Sequence, residues 1–491
     1  MKKSLPAAAN IPAMTRLSSL DGSFLRLETP NAHMHVAWSG LFEPPAGPHR
    51  PTVEALQAKV ATRLGRIPRF RQRLAFPPLR LAEPTWVDDP AFEVAHHVSA
   101  LTGADVPVPL EQFRKLTDAM LSEPLDRARP LWHLYLVPRL TDGRLGVIFK
   151  MHHALVDGKS AVELALLLFD LSPDAAPEPE DEWHPAPPPN AARRALDAFA
   201  SNAAEPLRAA RGMARMAGRP GEGGIAGTMK RAALAFEQDL LRSAPSSYLN
   251  SPIGPARVLV RHRARMDDIV RAKQRAGVTV NDVCLAAVSG ALRELALLRR
   301  ERPNPLKAMV PVSVRGDDQR QDLGNRISFA FIELPVEVSS RAGRLERVHE
   351  ATAAFKTSGR PAGTGAMLGA LGLLPDPLKN QATRMASSPR VFNLTVSNIP
   401  GPRAPVYMLG AELSEAYPVV PLAEQHALSI GMFSYRDSLF FGIYADPEAL
   451  PEADQLPAYL DAEVLALAGP RKRRTRPTHP ARRNGVVKSV G

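Results

Sequence analysis

The chain has 491 residues, 45% hydrophobic and 23% charged, too long for one core and ordinary for a soluble protein of two large domains. Eight Lys/Arg and no acid fall between Arg471 and Gly491, leaving +4 of the net +12 for the other 470 residues, which argues against a nucleic-acid-binding body and for a basic, disordered tail that could meet anionic membranes. The lone Cys284 excludes an internal disulfide and a multi-cysteine metal site, and without an apolar leader or a run of ~18 apolar residues a cytoplasmic location is expected.

In chain order, "HMHVAWSGLF" (33–42) alternates as a strand does, and "PTVEALQAKVATRLG" (51–65) is helical with proline at its start. "LWHLYLVPRL" (131–140) and "RLGVIFKM" (144–151), separated by the turn signal "TDG", predict a hairpin. "GKSAVELALLLFDL" (158–171) has the length and spacing of a buried helix.

"SPDAAPEPEDEWHPAPPPN" (172–190) is too rich in proline and acid to pack a core and reads as a linker. Ala/Arg-rich helical stretches follow at 191–217 and 228–243; packing across both domains competes there with membrane contact. A second αβ block begins near Arg257 with a strand, a helix ending at Gly277 and a long helix over 279–300. Further strands are expected at 306–314, 327–336, 391–397, 427–435 and 438–445, and helices at 340–357 and 453–468. The expected organisation is an N-terminal α/β domain over 1–175, a linker with connecting helices over 176–250, a C-terminal domain over 251–469 and the tail over 470–491.

"KMHHALVDGKS" (150–160) sets two histidines at a strand end. His152, His153 and Asp157 give the ligand count of a catalytic zinc, but neighbours on a strand point to opposite faces, so metal is the weaker reading. A structural pair is a second reading. A general base is the third, because a neutral imidazole accepts protons at physiological pH. Asp157 would then organise the turn and Gly158 open the next helix, where a side chain would crowd the backbone.

His152-His153-Ala154-Leu155-Val156-Asp157-Gly158 resembles the HHxxxDG signature of the coenzyme A-dependent acyltransferase superfamily. "LDGSFLRLET" (20–29), "MHVAW" (34–38), "PLW" (Pro130–Trp132), "NDVCLA" (Asn281–Ala286), "VPVSVR" (310–315), "LGNRIS" (323–328) and "SNIPGP" (Ser397–Pro402) resemble, in order, segments of the bacterial wax ester synthase/diacylglycerol acyltransferases. Cys284 stands where that family has valine, and the basic tail matches none of its motifs.

The resemblance implies two chloramphenicol acetyltransferase-like α/β domains, each a two-layer sandwich, with the active-site channel between them. It implies acyl transfer from acyl-CoA, as co-substrate without a bound cofactor or metal, to diacylglycerol or a fatty alcohol. It makes His153 the base and Asp157 structural, with His152 in a supporting place; Arg315 is a separate candidate for the ionic partner of Asp157. Asn281 is either an oxyanion donor or a helix cap. Pro130, Leu131, Trp132, Asp282, Ser397 and Asn398 are candidate substrate contacts, against strand entry and core packing for the first three and a rigid turn for "SNIPGP". Cys284 reads as a buried filler. Such a protein is expected to sit peripherally on the inner membrane face or on lipid inclusions. The rivals are a non-catalytic lipid-surface protein and a free-standing condensation-type enzyme.

Overall fold

The computed structural model describes residues 14–45, 50–78, 83–155, 168–176, 178–179, 181–190, 192–196, 199–200, 243–313, 327–358 and 376–470. Asp157, Gly158, Arg315, most of the Ala/Arg-rich stretches and the basic tail lie outside them.

The first half runs β1 (Met14–Arg16), α1 (Ser19–Leu27), β2 (His35–Glu43), α2 (Val53–Arg63), β3 (Gln72–Ala75), β4 (Thr85–Asp88), β5 (Val98–Ala100), α3 (Leu110–Ser122), β6 (Trp132–Val137) and β7 (Leu145–His152). The second runs β8 (Val258–Arg265), α4 (Met266–Ala276), α5 (Val280–Leu298), β9 (Leu306–Ser313), β10 (Ile327–Leu334), α6 (Arg341–Thr357) and α7 (Asp376–Ala386). It closes with β11 (Leu394–Pro400), β12 (Tyr407–Met408), β13 (Ala411–Val419), β14 (Leu428–Tyr435), β15 (Ser438–Ala445) and α8 (Leu456–Ala468).

Two mixed sheets of six strands carry these elements, in the orders β12-β13-β2-β7-β6-β5 and β10-β9-β11-β14-β15-β8, and β1-β4-β3 form a small third sheet. Every residue of β7 and of β15 is buried, which matches their nearly unbroken apolar sequences. Two local signals place α4 and α5. Gly277, at φ +70°, ends α4 in the left-handed conformation, and Thr279 caps α5 in a box closed by Asp282.

The hairpin β12–β13 comes from the second half of the chain yet completes the first sheet, where β13 runs antiparallel to β2. The sequence reading places no strand there. β13 also lies against the second sheet: Gly431 and Gly442, directly paired across β14 and β15, leave the space in which Pro418 sits. The end of α3 makes a further joint. Asp118 accepts the Leu259 amide at 2.9 Å, Ser122 Oγ accepts the Arg257 amide at 2.9 Å, and the Tyr444 hydroxyl donates to the Leu121 carbonyl at 3.2 Å.

Candidate active site

The histidine pair closes β7. His35 on β2 stands opposite His152, which is 1% exposed, while the next residue leaves the sheet in a short 3-10 turn over His153–Leu155. Three amides fix this geometry. The His152 amide donates to the Leu131 carbonyl at 2.9 Å, the His153 amide to the Met34 carbonyl at 2.9 Å, and the Ala154 amide to His152 Nδ1 at 3.0 Å. Met34 has φ +49°, a left-handed conformation that a methionine adopts only under constraint, and its carbonyl holds His153.

His153 is partly open to solvent, whereas its Nδ1 is buried without a partner among the described residues. Its ring lies flat on Phe24 of α1, centroids 3.6 Å apart and planes 13° from parallel. Burial pulls its imidazole down to about 4, with the neighbouring His152 acting in the same direction, so the ring is neutral at physiological pH.

The ring of His152 lies between the Ala154 amide and Glu28, with Nε2 3.4 Å from Oε2. Glu28 also pairs with Arg127. Burial alone would raise the Glu28 carboxyl, but contacts with His152 and Arg127 outweigh it and hold the group below its ordinary value. Beneath the pair, Lys150 is buried with Nζ donating to the Met120 and Glu123 carbonyls at 2.6 and 2.9 Å. An ammonium is well placed there, where the carbonyls at the end of α3 collect negative dipole, although burial lowers it to about 8.

The other sequence candidates divide. Pro130, Leu131 and Trp132 are buried; the indole of Trp132 donates to the Phe70 carbonyl at 2.8 Å and packs on Phe70, Phe149 and His97. This segment is core, and its link to the site is the Leu131 carbonyl under His152. The cap of α5 is Thr279 rather than Asn281, because the threonine hydroxyl accepts the Asp282 amide and the Asp282 carboxylate accepts the Thr279 amide. Asn281 lies in the first turn, two residues after the cap, and its Oδ1 accepts from Asn398 Nδ2 at 3.3 Å, which among the described residues leaves its own NH2 as a donor.

Asp282 is wholly buried, with both oxygens engaged by His349 Nδ1 at 2.9 Å and Thr352 Oγ1 at 2.7 Å besides the capping box, so it ties α5 to α6. Those bonds hold its carboxyl low although burial, the largest influence, pushes it up. Its stabilising effect is therefore complete above the ordinary carboxylate range and is lost as pH falls. Asp282→Ala is expected to cost about 2–4 kcal/mol in a urea titration, the sum of a lost cap and charged hydrogen bonds, with turnover of the folded fraction little changed. Unchanged stability with lost turnover would return Asp282 to the substrate site.

Ser397 and Asn398 are half-buried on β11, which continues to Pro400, so the predicted rigid turn is strand up to that proline. Cys284 is buried in α5, and burial pushes its thiol up to about 12, far from a reactive thiolate. No cluster of three or more His, Cys, Asp or Glu fit to hold a metal occurs among the described residues. No hydrogen bond or ring contact there joins Asn281 and Asn398 to the histidine turn; α1 is an element that packs on both that turn and α7. The sequence reading gives no role to Phe24, Glu28, Met34 or Arg127, although the first three lie within the quoted segments 20–29 and 34–38.

Residues 17–284 match the family model described as the wax ester synthase/diacylglycerol acyltransferase catalytic domain, and residues 323–467 match the WS/DGAT C-terminal domain. The sequence is 32% identical over 487 residues to the "Probable diacyglycerol O-acyltransferase tgs1" of Mycobacterium tuberculosis, covering 97% of this chain and 100% of that protein. It is 32% identical over 458 residues to "Probable diacyglycerol O-acyltransferase tgs2" of the same species, covering 91% and 97%. The solved wax ester synthase/diacylglycerol acyltransferase from Marinobacter aquaeolei VT8 superimposes with a TM-score of 0.66 at 26% identity, over 92% of this chain and 98% of that one. The first condensation domain of the calcium-dependent antibiotic synthetase, at 16% identity and a TM-score of 0.57 over 93% and 98%, shares the fold.

Proposed function

The chain belongs to the wax ester synthase/diacylglycerol acyltransferase family and is an acyltransferase, and from that premise we propose that it moves a long-chain acyl group from acyl-CoA to diacylglycerol or a fatty alcohol, with His153 as general base. The observation that carries the assignment is the neutral, partly open imidazole of His153, stacked on Phe24, on a residue whose backbone amide the Met34 carbonyl holds at the end of a buried strand. Its Nδ1 is enclosed, so Nε2 is the accepting nitrogen.

A thioester is already activated, so the acceptor oxygen attacks the carbonyl directly while its proton passes to His153. The tetrahedral intermediate then expels the CoA thiolate, which takes the proton from the imidazolium. Proton transfer of this kind is worth about 10²–10⁴-fold. Asn281, whose NH2 remains available, is our candidate donor to the oxyanion. Asp157 is our candidate organiser of the motif turn, with Arg315 as its partner. Incubating the enzyme with labelled palmitoyl-CoA and either acceptor, then separating the lipids, should give labelled triacylglycerol or wax ester; label released only as free fatty acid would refute the transfer.

Substrates of this kind reside in membranes and oil, since each buried methylene gains about 0.8 kcal/mol. No helix among the described residues is long and apolar enough to cross a membrane. We assign surface contact to the stretch 191–217, where Leu196 and Phe199 are exposed, and to the basic tail. Binding to anionic vesicles should weaken without vanishing in high salt, because salt screens charge and leaves apolar insertion untouched. Deleting residues 471–491 should remove the salt-sensitive part and spare catalysis on dispersed substrates. Equal co-sedimentation of full-length and truncated protein at every salt concentration would exclude the tail.

A further inference from the structure

We infer that Glu28 is a positioning residue of this enzyme: by engaging His152 it holds the turn that presents His153. The inference rests on His153 being the base. Its structural grounds are independent of that reading.

The Ala154 amide donates to His152 Nδ1, so that nitrogen acts as acceptor and Nε2 is the ring nitrogen left to donate. Nε2 is buried and makes no hydrogen bond of good geometry among the described residues; the carboxylate oxygen beside it is Glu28 Oε2, an ion-pair contact at 3.4 Å. His152 thus bridges a carboxylate on one side to the backbone of the residue after His153 on the other. Without the carboxylate, the Ala154 amide is left to hold the ring from one side, and the 3-10 turn is less firmly fixed one residue from the base.

The carboxylate is itself fixed. Arg127 pairs with it from the loop that continues into Leu131, whose carbonyl accepts the His152 amide. Glu28 also caps the end of α1, its amide donating to the Phe24 carbonyl at 3.1 Å, and Phe24 is the ring stacked on His153. One end of one helix therefore touches both histidines of the motif. This gives a physical task to the segment 20–29, which motif spacing alone leaves unexplained.

The test uses full-length Glu28→Ala, Glu28→Gln, Arg127→Gln, His152→Ala and the double variant Glu28→Ala/His152→Ala, with turnover normalised to folded protein. Glu28→Ala should lower kcat about 10–100-fold, the usual effect of removing a partner that orients a functional imidazole, with KM for acyl-CoA within about twofold. Glu28→Gln keeps an accepting oxygen and should recover part of that loss. Arg127→Gln, at an exposed residue, should lose about threefold or more. The double variant should be no slower than the slower single, because the two residues act in series. Folded Glu28→Ala with kcat within twofold of wild type, a loss confined to KM, or additive losses in the double variant would overturn the inference. Should Glu28→Ala fail to fold, wild-type kcat in both Glu28→Gln and Arg127→Gln would overturn it instead. His153→Ala in the same series separates the two readings: if it stays active the base assignment falls, and if it is inactive while Glu28→Ala is normal only the role of Glu28 falls.

Discussion

His153→Ala lowers kcat about 10²–10⁴-fold at neutral pH, the contribution expected of a positioned base, while the protein stays folded. The side chain is partly open and its ring touches Phe24, so its removal opens no sealed cavity. His152→Ala behaves differently. That ring is buried between the Ala154 amide and Glu28, so its loss lowers stability as well as turnover, the latter by about 10–100-fold as expected for a positioning residue. The two variants compared by kcat and by urea titration decide the assignment: an inactive His152→Ala beside a His153→Ala with wild-type turnover would reverse it.

The pH profile carries the same signature. Burial holds the His153 imidazole at about 4, and the neutral form, which lies above that value, is the one that accepts a proton. The acid limb of kcat/KM assigned to this group therefore lies near pH 4 rather than near the ordinary histidine value of about 6.5. The same shift has a cost in stability. Between about 6.5 and 4 the unfolded chain binds the proton that the native chain refuses, so the fold weakens as pH falls through that window. His133, lowered to about 3 by burial, acts in the same direction. Turnover below pH 6 must accordingly be normalised to the folded fraction.

Gly442→Ala is expected to cost about 3 kcal/mol or more, because a β-carbon there would stand 1.8 Å from the Pro418 carbonyl oxygen and 2.9 Å from its carbon. The obstacle is backbone and cannot rotate away. β13 would have to lift from β15, and this contact helps join the two six-stranded sheets. Gly143→Ala is the control: its φ is +90° but nothing lies within 4 Å of the added carbon, so it should cost only about 1 kcal/mol in backbone strain. Equal urea midpoints for the two variants would show that the sheets do not meet at Pro418.

Local pattern made much of this molecule legible. The strands at 258–265, 306–313 and 438–445 and the helices at 280–298 and 341–357 lie close to where alternation and capping residues put them. Pattern failed where pairing is distant. β13, "AELSEAYPV", mixes two glutamates with a proline, and only its place beside β2 makes it a strand. The reading gives no helix at α3, although Phe113, Thr117 and Leu121 share its buried face, because no side chain caps its start at Pro109. The site divides in the same way. His152 and His153 are visible as a motif, whereas the contacts of Glu28 with His152 and of Phe24 with His153 join segments more than a hundred residues apart. For Asn281, "TVND" offers two candidate caps, and only the reciprocal bonds of Thr279 and Asp282 distinguish them.

Direct transfer through a histidine base is tested most squarely by rapid-quench kinetics with acyl-labelled palmitoyl-CoA. Without acceptor, direct transfer gives no burst of free CoA and no acid-stable label on the protein. On addition of diacylglycerol or fatty alcohol, one CoA should appear for each ester formed. A stoichiometric burst of CoA, with the acyl label retained on the denatured chain, would contradict it.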